Sequence, residues 1–405
     1  MRIGIRTGRV LAGMALLSSG AALSAASPAV ADQPPRDADP WIVTVGDSYI
    51  SGEAGRWAGN SNDSEEYADA LGPSAYYDNA DHTAETIERC HRSQSAEVYI
   101  GGGVNGLNLA CSGAAATTYT SDDGYFKPGL DFYDDGAGHQ GQAAMLQSFA
   151  ADHPVTMVAV AIGGNDFDFG GIITQCVIDF LTSSYLDPDY CNDDSSVTAN
   201  FTRANIATVR GHLVTALRNV RTAMRNAGYA DNDWTLVAQT YPSPLPHGDG
   251  FRYSERGFTR QSTGGCGFWN ADADWANDVA LPLINKTVKK AVRKSGIART
   301  ETLNLSHALD GRRLCENTVG LYEEEGLTSW TQPGAVDKTE WVNQIRITAD
   351  GDPYYLQESL HPNYWAQLAE RSCLRQVYDD GAIRGGTCKI AGNGLVGGEP
   401  RMRLR

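Results

Sequence analysis

The sequence predicts an α/β fold in which helices cover both faces of a parallel sheet. The strongest strand signal is the continuous apolar run over 155–162, which fits a strand that is buried on both faces. Apolar runs of this kind alternate along the chain with stretches of helical periodicity. That alternation is typical of parallel strands joined by crossover helices.

The individual elements follow from the same patterns. We expect strands over 41–45, 107–110, 155–162, 234–240 and 302–305, and helices over 142–151, 200–227, 275–295 and 364–377. Gly228 and Gly296 follow the second and third helices and are typical stop signals. The stretch over 52–89 is polar, which indicates a long excursion over the surface.

The first 31 residues predict a secretory signal peptide. They combine a basic start, an apolar segment over 10–23 and small residues at 29–31 before Asp32. No other stretch has the apolar length that spanning a bilayer requires. We therefore expect a secreted, extracellular protein with one domain over 32–388 and a short, loose tail over 389–405.

The chain is strongly acidic. Its 405 residues carry a formal net charge of −16, which becomes −19 when Arg2, Arg6 and Arg9 leave with the signal peptide. Nucleic acids and anionic membrane surfaces attract positively charged proteins, so this balance argues against both as partners. We expect a monomer.

We expect all the cysteines to form disulfides. The sequence has eight of them, the chain is exported, and no Cys-x-x-Cys pair indicates zinc or redox chemistry. The simplest pattern joins neighbours in the sequence. It pairs Cys90 with Cys111, Cys176 with Cys191, Cys266 with Cys315, and Cys373 with Cys388.

A candidate nucleophile follows the first strand. The apolar residues over 41–45 stop at Gly46, and Asp47 and Ser48 come next. In open α/β sheets, ligands bind at the carboxyl ends of the strands, so Ser48 stands where a substrate is expected. A serine becomes a nucleophile if a histidine reaches it and hydrogen-bond donors face the charge that it creates.

The chain resembles the SGNH (GDSL) hydrolases, which carry four sequence blocks in a fixed order. The corresponding stretches here are 46–48, Gly113, 163–166 and 358–363. Cys-His-Arg-Ser at 90–93 and Leu-Ala-Cys-Ser-Gly at 109–113 are similar to the secreted actinobacterial branch. The resemblance covers most of the chain after the signal peptide and implies a flavodoxin-like, three-layer α/β/α fold with a five-stranded parallel sheet.

The resemblance also implies a role for each block. Ser48 matches the nucleophile and His361 the general base. The backbone N–H groups of Ser48 and Gly113 and the side chain of Asn165 match the oxyanion hole. Neither a metal nor an organic cofactor is implied.

The third catalytic residue departs from the family pattern. The family usually has aspartate three residues before the histidine, and this chain has Glu358 there. We assign Glu358 as the acid that orients His361. The alternative is a backbone carbonyl, which some members of the secreted branch use.

Other features favour structural roles. The glycine-rich run over 101–106 matches G-x-G-x-x-G but is followed by a predicted strand, not a helix, which argues against a dinucleotide site. The aromatic and acidic stretch over 268–275 either lines a substrate cleft or packs the start of a helix. We expect surface or structural roles for four further histidines: His91, His139, His247 and His307.

These observations predict a serine ester hydrolase that acts through a Ser48 acyl-enzyme, and we expect a lipase or phospholipase that acts on acyl lipids. The alternatives are a carbohydrate esterase for acetyl or feruloyl esters and an acyltransferase that uses the same site. A non-catalytic binding protein fits the four blocks least well.

Overall fold

The computed structural model describes residues 38–347 and 354–405. The predicted signal peptide lies outside these residues. The strands are β1 (Trp41–Gly46), β2 (Asn105–Asn108), β3 (Tyr119–Thr120), β4 (Phe126–Lys127), β5 (Val155–Ala161), β6 (Thr235–Gln239), β7 (Thr300–Asn304), β8 (Gly386–Val396) and β9 (Glu399–Leu404).

The helices lie between and after the strands. They are α1 (Ser48–Ser51), α2 (Gln142–Asp152), α3 (Phe169–Thr182), α4 (Ser195–Thr198), α5 (Arg203–Asn226), α6 (Thr259–Ser262), α7 (Asn270–Trp275), α8 (Leu281–Ser295), α9 (Ala335–Lys338), α10 (Tyr354–Glu358) and α11 (Tyr364–Tyr378). A π-helical turn, Ala276–Ala280, joins α7 to α8. None of the described helices is long and apolar enough to cross a membrane.

Seven strands form the central sheet, in the order β2-β1-β5-β6-β7-β8-β9. All neighbouring strands pair in parallel except β8 and β9, which are antiparallel. The first five strands of this order follow the flavodoxin-like sequence 2-1-3-4-5. β3 and β4 form a separate antiparallel pair.

The sheet is buried on both faces because its central strands are apolar throughout. Ile42 of β1 and Met157 of β5 belong to one hydrophobic cluster, while Val43 and Val158 belong to another. Neighbouring residues of a strand point to opposite faces. α3 and α11 contribute to the first cluster and α2, α5 and α8 to the second. The predicted three-layer α/β/α fold is therefore confirmed.

The last residues of the chain depart from the expectation. The predicted loose tail over 389–405 instead forms most of β8 and all of β9. Arg375 of α11 binds the carboxylate of Glu399 through two hydrogen bonds, of 2.5 and 2.7 Å, and Met402 is buried. These contacts hold the hairpin against α11 and extend the expected five strands to seven.

Two further local features concern glycine, one as expected and one not. The run over 101–106 forms a tight turn, with Gly101 bridged to Val104, and leads directly into β2. No helix opens inside it, as the sequence analysis argued. α3 was not predicted, because glycines at its second and third positions and apolar residues on several faces hide the helical period.

The cysteines are joined in the four expected pairs. Cys90–Cys111 ties the long excursion after β1 to the segment that follows β2. The backbone N–H of Ser112 also donates to the carbonyl of Cys90, at 2.9 Å. Cys373–Cys388 joins α11 to β8, which explains further why the last strands are held.

The position of the first disulfide yields a prediction. Replacing both Cys90 and Cys111 with alanine should lower the free energy of unfolding by about 2–5 kcal/mol. It should also reduce the ester turnover expected from the sequence, because Gly113 lies two residues after Cys111. Denaturant unfolding and turnover of a soluble ester measure the two effects.

The matched control is the double variant Cys373→Ala/Cys388→Ala. It removes the same kind of bond from the β8 edge, so we expect a loss of stability without a loss of kcat. Equal losses of turnover in the two double variants would contradict a local role for Cys90–Cys111.

Candidate active site

The site begins where β1 ends. Gly46 has a φ of +136°, and a Cβ atom at this position would lie 1.9 Å from the carbonyl oxygen of Ala161. Only glycine allows the end of β1 to approach the end of β5 so closely. The chain then turns at Asp47, and Ser48 opens the short helix α1. This turn places Ser48 at the carboxyl edge of the sheet.

Hydrogen bonds to the side chain of Asp47 hold this turn. Its side chain caps α1 by accepting from the N–H of Tyr49 at 3.2 Å, and it accepts from the hydroxyl of Tyr241. The same hydroxyl accepts from the N–H of Gly164, at 2.9 Å. Burial raises the pKa of Asp47 to about 7. Asp47 therefore links the ends of β1, β5 and β6 and has a structural role.

Gly113 and Asn165 lie at the same cleft as Ser48 and His361. Gly113 has a φ of +80°, which explains why glycine is needed there. The side-chain amide of Asn165 donates to the carbonyl of Ala114, at 2.9 Å, so it is fixed against the Gly113 segment. Asp166 braces the same segment by accepting from the N–H of Ala116, at 3.1 Å.

His361 forms a hydrogen bond with Ser48. Its Nε2 atom lies 2.7 Å from Oγ of Ser48, and its Nδ1 atom lies 3.0 Å from the carbonyl oxygen of Ser359. A carbonyl only accepts, so Nδ1 carries the hydrogen and Nε2 is left to accept from the serine hydroxyl. Burial lowers the pKa of His361, which favours the neutral ring that a general base requires.

Glu358 is not the acceptor for His361, which corrects the assignment from the sequence. The carboxylate of Glu358 accepts from Nε1 of Trp57 at 2.6 Å and from the hydroxyl of Tyr76. Burial raises its pKa to about 7. The backbone carbonyl of Ser359 fills the orienting role instead.

A strained backbone position explains why the carbonyl of Ser359, and not the carboxylate of Glu358, reaches His361. Leu360 has a φ of +60°, a value that residues other than glycine rarely adopt. The turn at Leu360 brings the carbonyl of Ser359 to the ring of His361. The hydroxyl of Tyr49 donates to the carbonyl of Leu360, at 3.1 Å, and so helps to hold the turn.

Glu358 belongs to a buried network that also contains His91. Tyr76, which donates to Glu358, stacks on the ring of His91 with 4.5 Å between ring centroids. Nδ1 of His91 lies 2.6 Å from the carboxylate of Glu53, and the N–H of Glu53 donates to the carbonyl of Ser48. The network therefore connects the residues after Ser48 with those before His361.

The other predicted structural residues lie outside the cleft. His139, His247 and His307 are exposed, each beside an aspartate. In the aromatic stretch, Trp269 packs on Phe180 and Trp275 on Phe201, with 4.9 and 5.2 Å between ring centroids. Of the two readings of that stretch, packing at a helix start fits these contacts.

The cleft itself has a volume of about 740 Å³ and one strongly apolar wall. α3 contributes Phe169, Ile173 and Val177 to that wall, and Ile345 and Leu356 face them. The residues of α3 were not predicted to line the site because α3 itself was not predicted. Apolar side chains at every fourth position from 169 to 181 were the available signal, although further apolar residues and two glycines obscured it.

Similar proteins are found among solved structures alone. No protein-family profile matches the chain, and no curated protein matches it in sequence. Phospholipase A1 from Streptomyces albidoflavus NA297 is 17% identical, with a TM-score of 0.48, and the match covers 84% of this chain and 99% of that one.

Two other solved structures show the same general likeness. An extracellular lipase from Streptomyces rimosus is 18% identical, with a TM-score of 0.41 and coverage of 83% of this chain and 98% of that one. A family two carbohydrate esterase from Clostridium thermocellum is 12% identical, with a TM-score of 0.35, and the match covers 85% of this chain and 65% of that one. Independently of these likenesses, the four blocks that carry the resemblance to SGNH hydrolases meet at one cleft in this structure.

The geometry of Glu358 predicts a mild effect of mutation. In Glu358→Gln the amide oxygen still accepts from Trp57, and Ser359 still orients His361. We expect kcat for a soluble ester to fall by less than about tenfold, a barrier change under about 1.4 kcal/mol. His361→Ala is the reference for complete loss of the base. A loss in Glu358→Gln near that of His361→Ala would restore Glu358 as the catalytic acid.

The burial of His361 predicts the acid limb of the pH profile. The neutral ring is the active form, and its lowered pKa keeps it neutral to lower pH. The fall of kcat/KM on acidification should therefore have its midpoint below about 6.5, the ordinary histidine value. The Glu358→Gln variant should keep this limb. A midpoint above 6.5, or a limb that disappears in that variant, would contradict the assignment to His361.

Proposed function

We propose that the protein is a secreted ester hydrolase that acts through an acyl-enzyme on Ser48. The observation that carries the proposal is the 2.7 Å contact between Ser48 Oγ and His361 Nε2, in a ring whose other nitrogen is held by a carbonyl. This arrangement supplies a nucleophile, a base in the correct tautomer and a fixed orientation.

In the first half of the reaction, Ser48 Oγ attacks the ester carbonyl carbon and its proton moves to Nε2 of His361. The carbonyl oxygen becomes an oxyanion. His361 then gives the proton to the leaving alkoxide as the carbon–oxygen bond of the ester breaks, and the alcohol departs. In the second half, water attacks the acyl-enzyme, His361 takes its proton and returns it to Ser48, and the acid is released.

The oxyanion is stabilised by three donors in this proposal. Ser48 is the first residue of α1, and the first N–H groups of a helix have no partner inside it. The N–H of Gly113 and the amide of Asn165 border the same cleft. Donors that are already fixed toward the developing charge stabilise the transition state more than the ground state.

Among the described residues, none places a carboxylate directly on Nδ1 of the imidazolium that forms during attack. The carbonyl of Ser359 stabilises it by accepting the Nδ1 hydrogen. The nearby carboxylate of Glu53 favours the protonated ring through its charge. The catalytic unit is therefore a Ser–His dyad with a main-chain acceptor.

The apolar wall of the cleft favours an acyl lipid as the substrate. α3 offers a continuous apolar surface on which an acyl chain is removed from water, at about 0.8 kcal/mol for each buried CH₂ group. Ile178, Ile347 and Leu356, which also line the cleft, are 46%, 54% and 49% exposed. Exposed apolar groups around a cleft are typical of a binding site for an apolar ligand.

The proposed secretion rests on two features of the chain. The sequence of residues 1–31 has the pattern of a signal peptide, and all the cysteines are paired in disulfides. Disulfides persist in oxidising compartments outside the cytosol.

A labelling experiment tests the nucleophile. A fluorophosphonate should modify the protein at Ser48, and Ser48→Ala should abolish both the labelling and the hydrolysis of p-nitrophenyl esters. Ser121, which lines the same cleft, provides the matched control, because Ser121→Ala keeps Ser48 and should keep both activities. Labelling at another serine, or turnover that survives in Ser48→Ala, would refute the proposal.

A second measurement tests the substrate class. p-Nitrophenyl esters of increasing chain length, a phospholipid and acetyl-xylan should be compared under the same conditions. We expect kcat/KM to rise with chain length, because each added CH₂ group contacts the apolar wall. Faster release of acetate from xylan than of fatty acid from the phospholipid would favour the carbohydrate esterase instead.

A further inference from the structure

A second cavity lies beside the catalytic cleft, near the carboxyl ends of β6 and β7. Its volume is about 530 Å³, and α8 forms one wall. Six basic side chains line it: Lys286, Lys289, Arg293, Arg313, His247 and His307. We call this cavity the basic groove.

The basic groove contains few compensating acids. Among its lining residues, Asp278 is the one carboxylate, and it lies 3.1 Å from His247. His307 and Arg313 share a second acid, Asp310, and Arg313 also lies 4.0 Å from the carboxylate of Glu316. In the part of the chain that the structure describes, no carboxylate pairs with Lys286, Lys289 or Arg293. The groove therefore holds an excess of positive charge in an acidic protein.

The spacing of these three residues directs them to the same side of α8. Positions 286, 289 and 293 are separated by three and four residues, so they share one face of the helix. Lys290 and Lys294 belong to the same helix but do not line the groove. The lining of the groove, and not helical spacing, separates the two sets, because Lys290 is also four residues from Lys286.

The basic groove adjoins the pocket that contains Ser48. Leu281 borders both this groove and a smaller pocket that contains Ser48, Tyr241 and Pro244. β1 and β7 are three strand positions apart in the sheet, which corresponds to about 14 Å. The apolar wall of α3 and the basic groove both border this carboxyl edge, and Ser48 lines both the cleft of the α3 wall and the smaller pocket beside the groove.

We propose that the basic groove binds the phosphate groups of an anionic phospholipid surface while an acyl ester of that surface reaches Ser48. The proposal rests on the proposed function, which places an acyl chain in the apolar cleft. Arginine and lysine are the side chains that proteins use to bind phosphate. A lipid surface presents acyl chains and phosphates side by side, which matches the two neighbouring sites.

The net charge of the chain does not oppose this binding. The value of −16 is a sum over the whole molecule, and only this sum argued against anionic membrane surfaces as partners. Charges more than about 8 Å apart are largely screened at physiological salt. A bound phosphate therefore interacts mainly with the cations of the groove, not with distant acids.

Vesicle sedimentation tests the groove directly. The protein carries Ser48→Ala so that it does not consume the lipid, and the vesicles contain phosphatidylcholine alone or with phosphatidylglycerol. We expect tighter binding to the anionic vesicles and weaker binding at high salt. Lys286→Gln/Lys289→Gln should weaken anionic binding by about tenfold to thirtyfold, since each surface cation contributes roughly one factor of five.

The matched control is Lys290→Gln/Lys294→Gln, which removes two charges from the same helix outside the groove. It should change the affinity less than threefold. Equal effects of the two double variants, or no effect of the groove variant, would overturn the proposal. Tighter binding of an acidic polysaccharide than of anionic vesicles, lost in the groove variant, would overturn it as well.

Turnover separates this proposal from the proposed function. With Ser48 restored, the groove variant should hydrolyse p-nitrophenyl butyrate at the wild-type rate, because a small neutral ester does not require the groove. On anionic vesicles its KM should rise by a similar factor of about ten to thirty, with kcat unchanged. A wild-type protein that hydrolyses no ester would refute the proposed function, while the sedimentation result would still decide the groove.

Discussion

The close approach of β1 to β5 is the constraint on which the site depends. Gly46 lies against the carbonyl of Ala161 in a space that no side chain fits. This contact lets the two central strands end together, and the chain then turns so that Ser48 faces the cleft. Asp47 and Tyr241 hold the same junction through hydrogen bonds. The position of Ser48, the proposed nucleophile, is thus set by backbone packing and not by its contact with His361.

The sequence predicted the five central strands and four of the helices because their signals are local. Apolar runs identify strands that are buried on both faces, as β1 and β5 are. The pairing of the cysteines followed from their spacing and compartment. Three of the four blocks follow predicted strands, and the set was recognised by its resemblance to the order of blocks in SGNH hydrolases. Each of these predictions depends mainly on residues that are close together in the sequence.

The features that were missed depend on tertiary contacts. β8 and β9 are rich in glycine and charge, and they are held by Cys388 and by the ion pair between Arg375 and Glu399. The acceptor for His361 depends on the φ of Leu360, which a sequence pattern does not reveal. A glutamate at the expected spacing from His361 therefore suggested the wrong partner. The basic groove is lined by α8 and by loops that lie before and after α8 in the chain. The net charge of the whole chain therefore gave no sign of this local positive charge.

The main-chain acceptor of His361 changes what a mutation is able to do to the proposed site. In a Ser–His–Asp site, one codon change deletes the acid. Here any amino acid at position 359 supplies the same main-chain carbonyl, so a substitution at that position does not remove the orienting group. The genetic weak point moves to Leu360, whose positive φ excludes β-branched side chains far more strongly than glycine or asparagine. Variation at these two positions should therefore follow backbone preference instead of side-chain chemistry.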